Sequence, residues 1–377
     1  MSKSKGAHSS LRNFNPSRLT LARHRRGLTK LELAERIGVD RRSATAYESG
    51  ETLPSLETLE RIEQELGFPR AFFFEDDVDE LTPDAVSFRS MSKMTAAQRY
   101  MALAEGRLTL ALSQWIERRF ELPLADLPNL STEPSPEEAA LTLRQHWGLG
   151  EQPVKNMIHL LESQGVRVFS LSVKSREVDA FSTWKDATPF VFLNTEKSAE
   201  HSRFDAAHEL GHLTMHRHAA PHGREAEDQA NAFASAFLMP RRSVLANAPK
   251  FAILPTLIEL KKTWTVSVSA LNHRLHTLGV ISDWHYRGLC IEIAKRGYRT
   301  SEPSPAPREN SQLLSKVFSV LRSEGVGKAQ IARELRLYEE DLDALVFGLT
   351  MTRLRGGTLE PPPARATSRP DLRVVSD

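Results

Sequence analysis

Cysteine is almost missing from this chain: 377 residues contain one, Cys290. That excludes a disulfide framework and any zinc site built on several thiolates, so a bound metal would fall to His, Asp or Glu. No run of 18 apolar residues occurs, which excludes a membrane-spanning helix. The opening stretch, MSKSKGAHSSLRNFNPSR, is basic without an apolar segment and does not read as a secretory signal. The expected location is therefore the cytoplasm, with no membrane partner. Net charge is also scarce, at +2. What is present is ordinary globular composition, 40% hydrophobic and 26% charged, in a chain long enough for two or three domains of ~150 residues.

The small net charge conceals an asymmetry. Residues 1–50 hold eleven Lys and Arg against four acids, an excess of +7, so the remainder sums to −5. A basic module joined to a near-neutral body is an electrostatic footprint for nucleic acid.

Organisation follows from periodicity and punctuation. Residues 1–15 read as a disordered basic tail and 16–75 as short helices. Residues 76–135 read as an acidic linker and a connecting helix over 95–120. Ser135-Pro136 starts a helix that runs to His146, with Ser as cap and Pro at the first helical position. A further helix is expected near 153–164. GVRVFSLS (165–172), VDAFS (178–182) and PFVFLN (189–194) read as three short strands. Helices resume at Ser198 and dominate to about Leu278, and the apolar stretch 280–294 is ambiguous between helix and a strand-like segment around Cys290. SEPSPAPRE (301–309) reads as a linker, 310–352 as a small helical unit, and 356–377 as a disordered tail. The fold class expected is α+β, mainly α.

The chemistry concentrates at His208-Glu209-Leu210-Gly211-His212, an H-E-x-x-H motif. On a helix the two His lie one turn apart and can grip one divalent ion. Glu209 is rotated by about 100° and can serve as a base without ligating. Ala206, Ala207, Leu210, Gly211 and Leu213 make the rest of that helix apolar, so its polar groups need a partner, and a metal provides one. A third ligand is sought in EAEDQANAFASAFLMP (225–240), where Glu227 and Asn231 share a helical face. Glu227 can ligate and Asn231 can hydrogen-bond a ligand His from behind. Glu225 and Asp228 are alternative ligands. His216, His273, His285 and Tyr286 are candidates for stabilising an oxyanion. His201, His218 and His222 read as surface residues.

AAHELGHLTMH followed by EDQANAFASAFLMP closely resembles the ImmA/IrrE metallopeptidase family, and the resemblance covers roughly residues 150–290, within a domain read as 136–300. It implies a zincin-like fold with a small sheet beside the active-site helix. It also implies Zn2+ on His208, His212 and Glu227, with Glu209 as the base of peptide hydrolysis.

Near the N-terminus, Leu28-Thr29 caps a helix to Ile37, Gly38 turns the chain, and a short helix covers 40–48. The marks L-A-E-R-I-G-V, Ala46-Tyr47-Glu48-Ser49-Gly50 and Pro54-Ser55 resemble the Xre/Cro-type helix-turn-helix family. The resemblance implies double-stranded DNA as partner, read by Arg41, Arg42, Ser43 and Thr45 in the major groove. Lys30 stands where the family usually has Gln; it suits a phosphate but lacks amide geometry for a base. Family heads commonly dimerise, so a homodimer is admitted. The C-terminal cadence at 325–349 carries Glu339, Glu340, Asp341 and Asp343, which would repel phosphate; it reads as packing or partner-binding.

The reading is a DNA-binding regulator with a zinc endopeptidase that cleaves a protein substrate such as a repressor. The alternatives are a transcription factor whose metallopeptidase-like domain senses without catalysis, and a protease whose head only docks.

Overall fold

The computed structural model describes residues 13–81, 95–171, 180–217, 223–346, 348–350 and 373–374. It is α+β and mainly helical, with one three-stranded sheet. The expected tail over 1–15 lies outside the described residues as far as 12. Phe14 and Asn15 instead belong to the fold: Phe14 stacks against Phe73, and the Asn15 side chain caps the first helix.

That helix is α1 (Pro16–Arg25), followed by α2 (Lys30–Ile37), α3 (Arg41–Ser49) and α4 (Leu56–Leu66). Each start is written locally. Thr29 and Glu32 form a reciprocal capping box on α2, Asp40 accepts from the Ser43 amide on α3, and Ser55 caps α4. Gly38 closes α2 at φ 67°, a left-handed conformation that costs glycine nothing and lets α3 cross immediately. Leu19, Leu33, Ile37, Leu59, Ile62 and Leu66 face inward and form the core of this head.

A long helix, α5 (Ala96–Glu117), connects head to body. The body begins with α6 (Pro136–His146) and α7 (Met157–Ser163), then β2 (Arg167–Leu171), β3 (Phe181–Lys185) and β4 (Thr188–Asn194). The sheet order is β2-β4-β3, with β2 parallel and β3 antiparallel to β4, leaving β3 at an edge. Of the sequence-assigned strands, Ser172 and 178–179 lie outside the described residues.

On this sheet rests α8 (Ala199–Met215), which carries H-E-x-x-H, and against α8 packs α9 (Arg224–Leu238). Gly211 makes that approach close: a Cβ there would sit 3.0 Å from the Phe233 ring and 3.4 Å from the Ala230 Cα. Helices α10 (Arg241–Ala246), α11 (Leu254–Leu260), α12 (Val268–Thr277) and α13 (Asp283–Lys295) complete the body. The ambiguous stretch 280–294 is helical from Asp283, not strand-like around Cys290. Ser282 caps α13, and Leu289 and Ile293, one turn apart, are its buried face.

The segment 301–309 is no free linker. Glu302 pairs with Lys261, which also binds buried Glu200; Glu309 pairs with Arg203 and accepts from the amides of Met157 and Ile158. The C-terminal unit is α14 (Gln312–Ser323), α15 (Lys328–Glu334) and α16 (Glu339–Val346). Buried Glu162 caps α14 by accepting from Ser311, Gln312 and Leu313. Asp341 on α16 takes both guanidinium nitrogens of Arg26 at 2.7 Å, tying this acidic unit to the head. Most of the tail expected to be disordered over 356–377 lies outside the described residues. Its Arg373–Val374 instead pairs antiparallel with β1 (Phe120–Glu121), so that expectation does not hold at those two positions.

Candidate functional site

Helix α8 places His208 and His212 one turn apart, and α9 crosses so that Glu227 meets them. The His208 and His212 Nε2 atoms are 3.0 Å apart. Glu227 Oε2 lies 3.3 Å from His208 Nε2, and Oε1 lies 3.4 Å from His212 Nε2. Bonds of about 2.0–2.1 Å in a tetrahedral array would separate ligand atoms by about 3.3 Å. The three donors therefore fit one small divalent cation, and among the described residues they form the only such group. His212 and Glu227 are buried, and the His208 side chain is 14% exposed.

The charges of the three groups are coupled. Burial works against ionising Glu227, yet the His208 and His212 imidazoles beside it hold its carboxyl well below the ordinary carboxylate range. Burial likewise disfavours charge on His208, and Glu227, Glu209 and Asp205 outweigh it and raise the imidazole's pKa.

The remaining residues sort by geometry. His208 Nδ1 meets Asn231 Oδ1 at 3.0 Å. Glu209 is 3% exposed and accepts a 2.6 Å hydrogen bond from the Ser182 hydroxyl on edge strand β3. Glu225 and Asp228 are exposed on α9, facing Gln229 and Arg224 rather than the donor cluster. Among the oxyanion candidates, His216 touches the cluster, with its Nδ1 3.0 Å from His212 Nδ1 and its Nε2 2.9 Å from Gln229 Oε1. Burial pulls the His216 imidazole below its ordinary range. His285 is engaged with the Ala252 carbonyl, and Tyr286 stacks on His276 and meets His273 edge-on, so these three are occupied on α12 and α13. His201 faces Asp205 and Lys197 at the surface, while His218 and His222 lie outside the described residues.

Ser182, and Gln229 as a partner of His216, escaped the sequence reading. Their contacts join β3 to α8 and α9 to α8, and neither carries a motif of its own.

In the head, Arg41 and Arg42 are exposed at the start of α3. Ser43 and Thr45 are turned onto their own helix: the Ser43 hydroxyl donates to Asp40 and the Thr45 hydroxyl to the Arg41 carbonyl. Lys30 lies 3.5 Å from Glu48, with its side chain 42% exposed. Arg23 and Arg25 of α1, by contrast, face inward. Arg23 is bound to Glu48, and Arg25 lies between Glu105 and Asp341.

No helix among the described residues is long and apolar enough to cross a membrane. No curated protein matches the chain. Residues 161–276 match the family model of the IrrE N-terminal-like domain, and residues 20–73 match that of the helix-turn-helix. The first belongs to a metallopeptidase family that is typically metal-dependent. The chain thus joins an Xre-like helix-turn-helix DNA-binding domain to an IrrE N-terminal-like domain of metallopeptidase type.

Proposed function

We propose that this protein is a DNA-binding regulator whose body is a zinc-dependent endopeptidase acting on a partner protein, such as a repressor. On this reading the head spans 16–75, the connector 76–135, the peptidase 136–300 and the C-terminal unit 310–352. The observation that carries it is a division among carboxylates. Three donors, His208, His212 and Glu227, converge on one point, and a separate buried carboxylate, Glu209, stands beside them on the same helix without joining the cluster. A structural zinc site would use four protein ligands and would need no base.

The two-imidazole, one-carboxylate set suits zinc. A bound divalent cation supplies Lewis acidity toward a peptide carbonyl and toward water. The chain's own part is positional. Asn231 holds His208 from behind, Ser182 orients Glu209, and Glu209 accepts the proton of the attacking water and returns it to the leaving amine. Among the described strands β3 is an edge of the sheet beside Glu209, and a substrate strand would lie along it. In the head, Arg41 and Arg42 would enter the major groove and Lys30 would meet phosphate. A homodimer on a two-fold operator fits this class of head.

Mapping partner cleavage in cells by mass spectrometry, with and without Glu209→Gln, tests the peptidase reading. We expect cleavage to fall by about 10²–10⁴-fold while metal content is unchanged. Equal cleavage, or no cleavage product in either strain, contradicts it, and the latter favours a sensor.

A further inference from the structure

His208 and His212 are both candidate ligands through Nε2, but they are held from behind in different ways. His208 Nδ1 meets an amide oxygen directly, that of Asn231. His212 Nδ1 meets a third imidazole, His216, and that one meets the amide of Gln229. We propose that Glu225, Gln229 and His216 form a relay that fixes the proton of His212 on Nδ1 and so presents the Nε2 lone pair to a divalent cation. This inference rests on the metal-site reading and assigns His216 and Gln229 as positioning residues.

The direction of the relay follows from its far end. A carboxylate only accepts. Gln229 Nε2 donates to Glu225 Oε1 at 3.5 Å, one turn earlier on α9, which turns the Gln229 carbonyl oxygen toward His216. That oxygen also only accepts, so His216 Nε2, 2.9 Å away, carries the proton. A neutral imidazole protonated on Nε2 has a bare Nδ1. It faces His212 Nδ1 at 3.0 Å, so the donor of that contact is His212. His212 Nε2 is then the bare nitrogen, and it points at His208 Nε2 and Glu227 Oε1. At the last link Glu227 Oε1 also only accepts, so a bare His212 Nε2 facing it is the arrangement in which a cation, rather than a proton, lies between them. His216 ends α8 one turn after His212, and both relay residues of α9 lie one turn apart as well, so the same helix crossing that brings Glu227 to the cluster also builds the relay.

Outer partners of metal-binding histidines fix the tautomer and ring orientation, and their loss costs about 10–100-fold in metal affinity. The test compares substitutions that differ in hydrogen-bonding capacity at nearly constant size. Zinc affinity of the full chain is measured by competition with a chromophoric chelator. Gln229→Leu, which lacks an acceptor, should weaken zinc by about 10–100-fold, and Gln229→Glu, which keeps one, should stay near wild type. His216→Phe should match Gln229→Leu. Gln229 is half-buried on a helix, so its variants keep the relay testable if His216→Phe fails to fold.

A second measurement is independent of metal affinity. Long-range 15N–1H correlation on histidine-labelled protein saturated with zinc should show His216 as the Nε2–H tautomer in wild type and as a mixture in Gln229→Leu. Wild-type zinc affinity in both Gln229→Leu and His216→Phe, or an Nδ1–H tautomer of His216 in wild type, overturns the relay and leaves the metal site standing. Wild-type protein that binds no zinc overturns the metal-site reading, and this inference with it.

Discussion

The head and the body both concentrate ionisable side chains, and the structure disposes of them in opposite ways. Residues 1–50 carry a basic excess of +7, yet much of the charge at the end of α1 and just after it is turned inward. Arg23 is spent on Glu48, Arg25 on Glu105 and Asp341, and Arg26 on Asp341 and the ring of Phe68. Arg36, Arg41 and Arg42 remain exposed. In the body, three side chains from α8 and α9, His208, His212 and Glu227, converge, while Glu209 on α8 is held apart by Ser182 of β3. A count of charges along the sequence therefore overstates what the head offers to DNA. A count of carboxylates and imidazoles would not reveal the body's site at all, because convergence makes it.

This contrast is sharpest where one substitution should abolish one activity and spare the other. Glu227→Ala removes a ligand and leaves two imidazoles, so zinc content should fall to background while DNA affinity by fluorescence anisotropy is unchanged. Loss of both would mean that head and body are coupled through the metal.

A smaller effect separates the two kinds of arginine. Every DNA phosphate that a variant no longer neutralises should reduce the slope of log K against log salt by about 0.9. Arg41→Ala and Arg42→Ala should each lower that slope. Arg26→Ala should leave the slope alone and lower thermal stability instead, because its partners are Asp341 and the backbone of Leu66 and Gly67. Equal slopes for all three would refute the division between inward and outward charge.

The smallest effects are in pH dependence, and they run in opposite senses. Burial, then the charge of Arg23, lowers the His24 pKa from 6.5 to about 4. The unfolded chain thus binds a proton that the fold refuses, and stability falls as pH drops from 6.5 toward 4. Burial raises Glu162 from 4.5 to about 7. The fold holds that proton more tightly than the unfolded chain, so this contribution is full below 4.5 and is lost as pH rises through about 7. Melting temperature against pH should lose its acid limb in His24→Phe and its near-neutral limb in Glu162→Gln. Unchanged profiles in both would contradict the assigned burial effects.

Much of this was legible because it is local. Ser135-Pro136 marks the start of α6, Thr29 with Glu32 marks α2, and Asp40 marks α3, since caps act within one turn. The pairings His208 with His212 and Glu227 with Asn231 were legible for the same reason, as i, i+4 neighbours on helices. Helix α13 is ambiguous in the sequence because Leu289, Cys290, Ile291 and Ile293 are apolar in near-succession, and only two of the four are buried. Ser182 on Glu209, Gln229 on His216, and Arg26 on Asp341 join elements whose contact is decided by packing, so no spacing announces them.

The most direct test of the central claim is the zinc-to-protein ratio of the purified full chain after equilibration with zinc and removal of the excess. One ion per chain, falling to none in His208→Ala, is the predicted result. A wild-type chain that retains no zinc would contradict it.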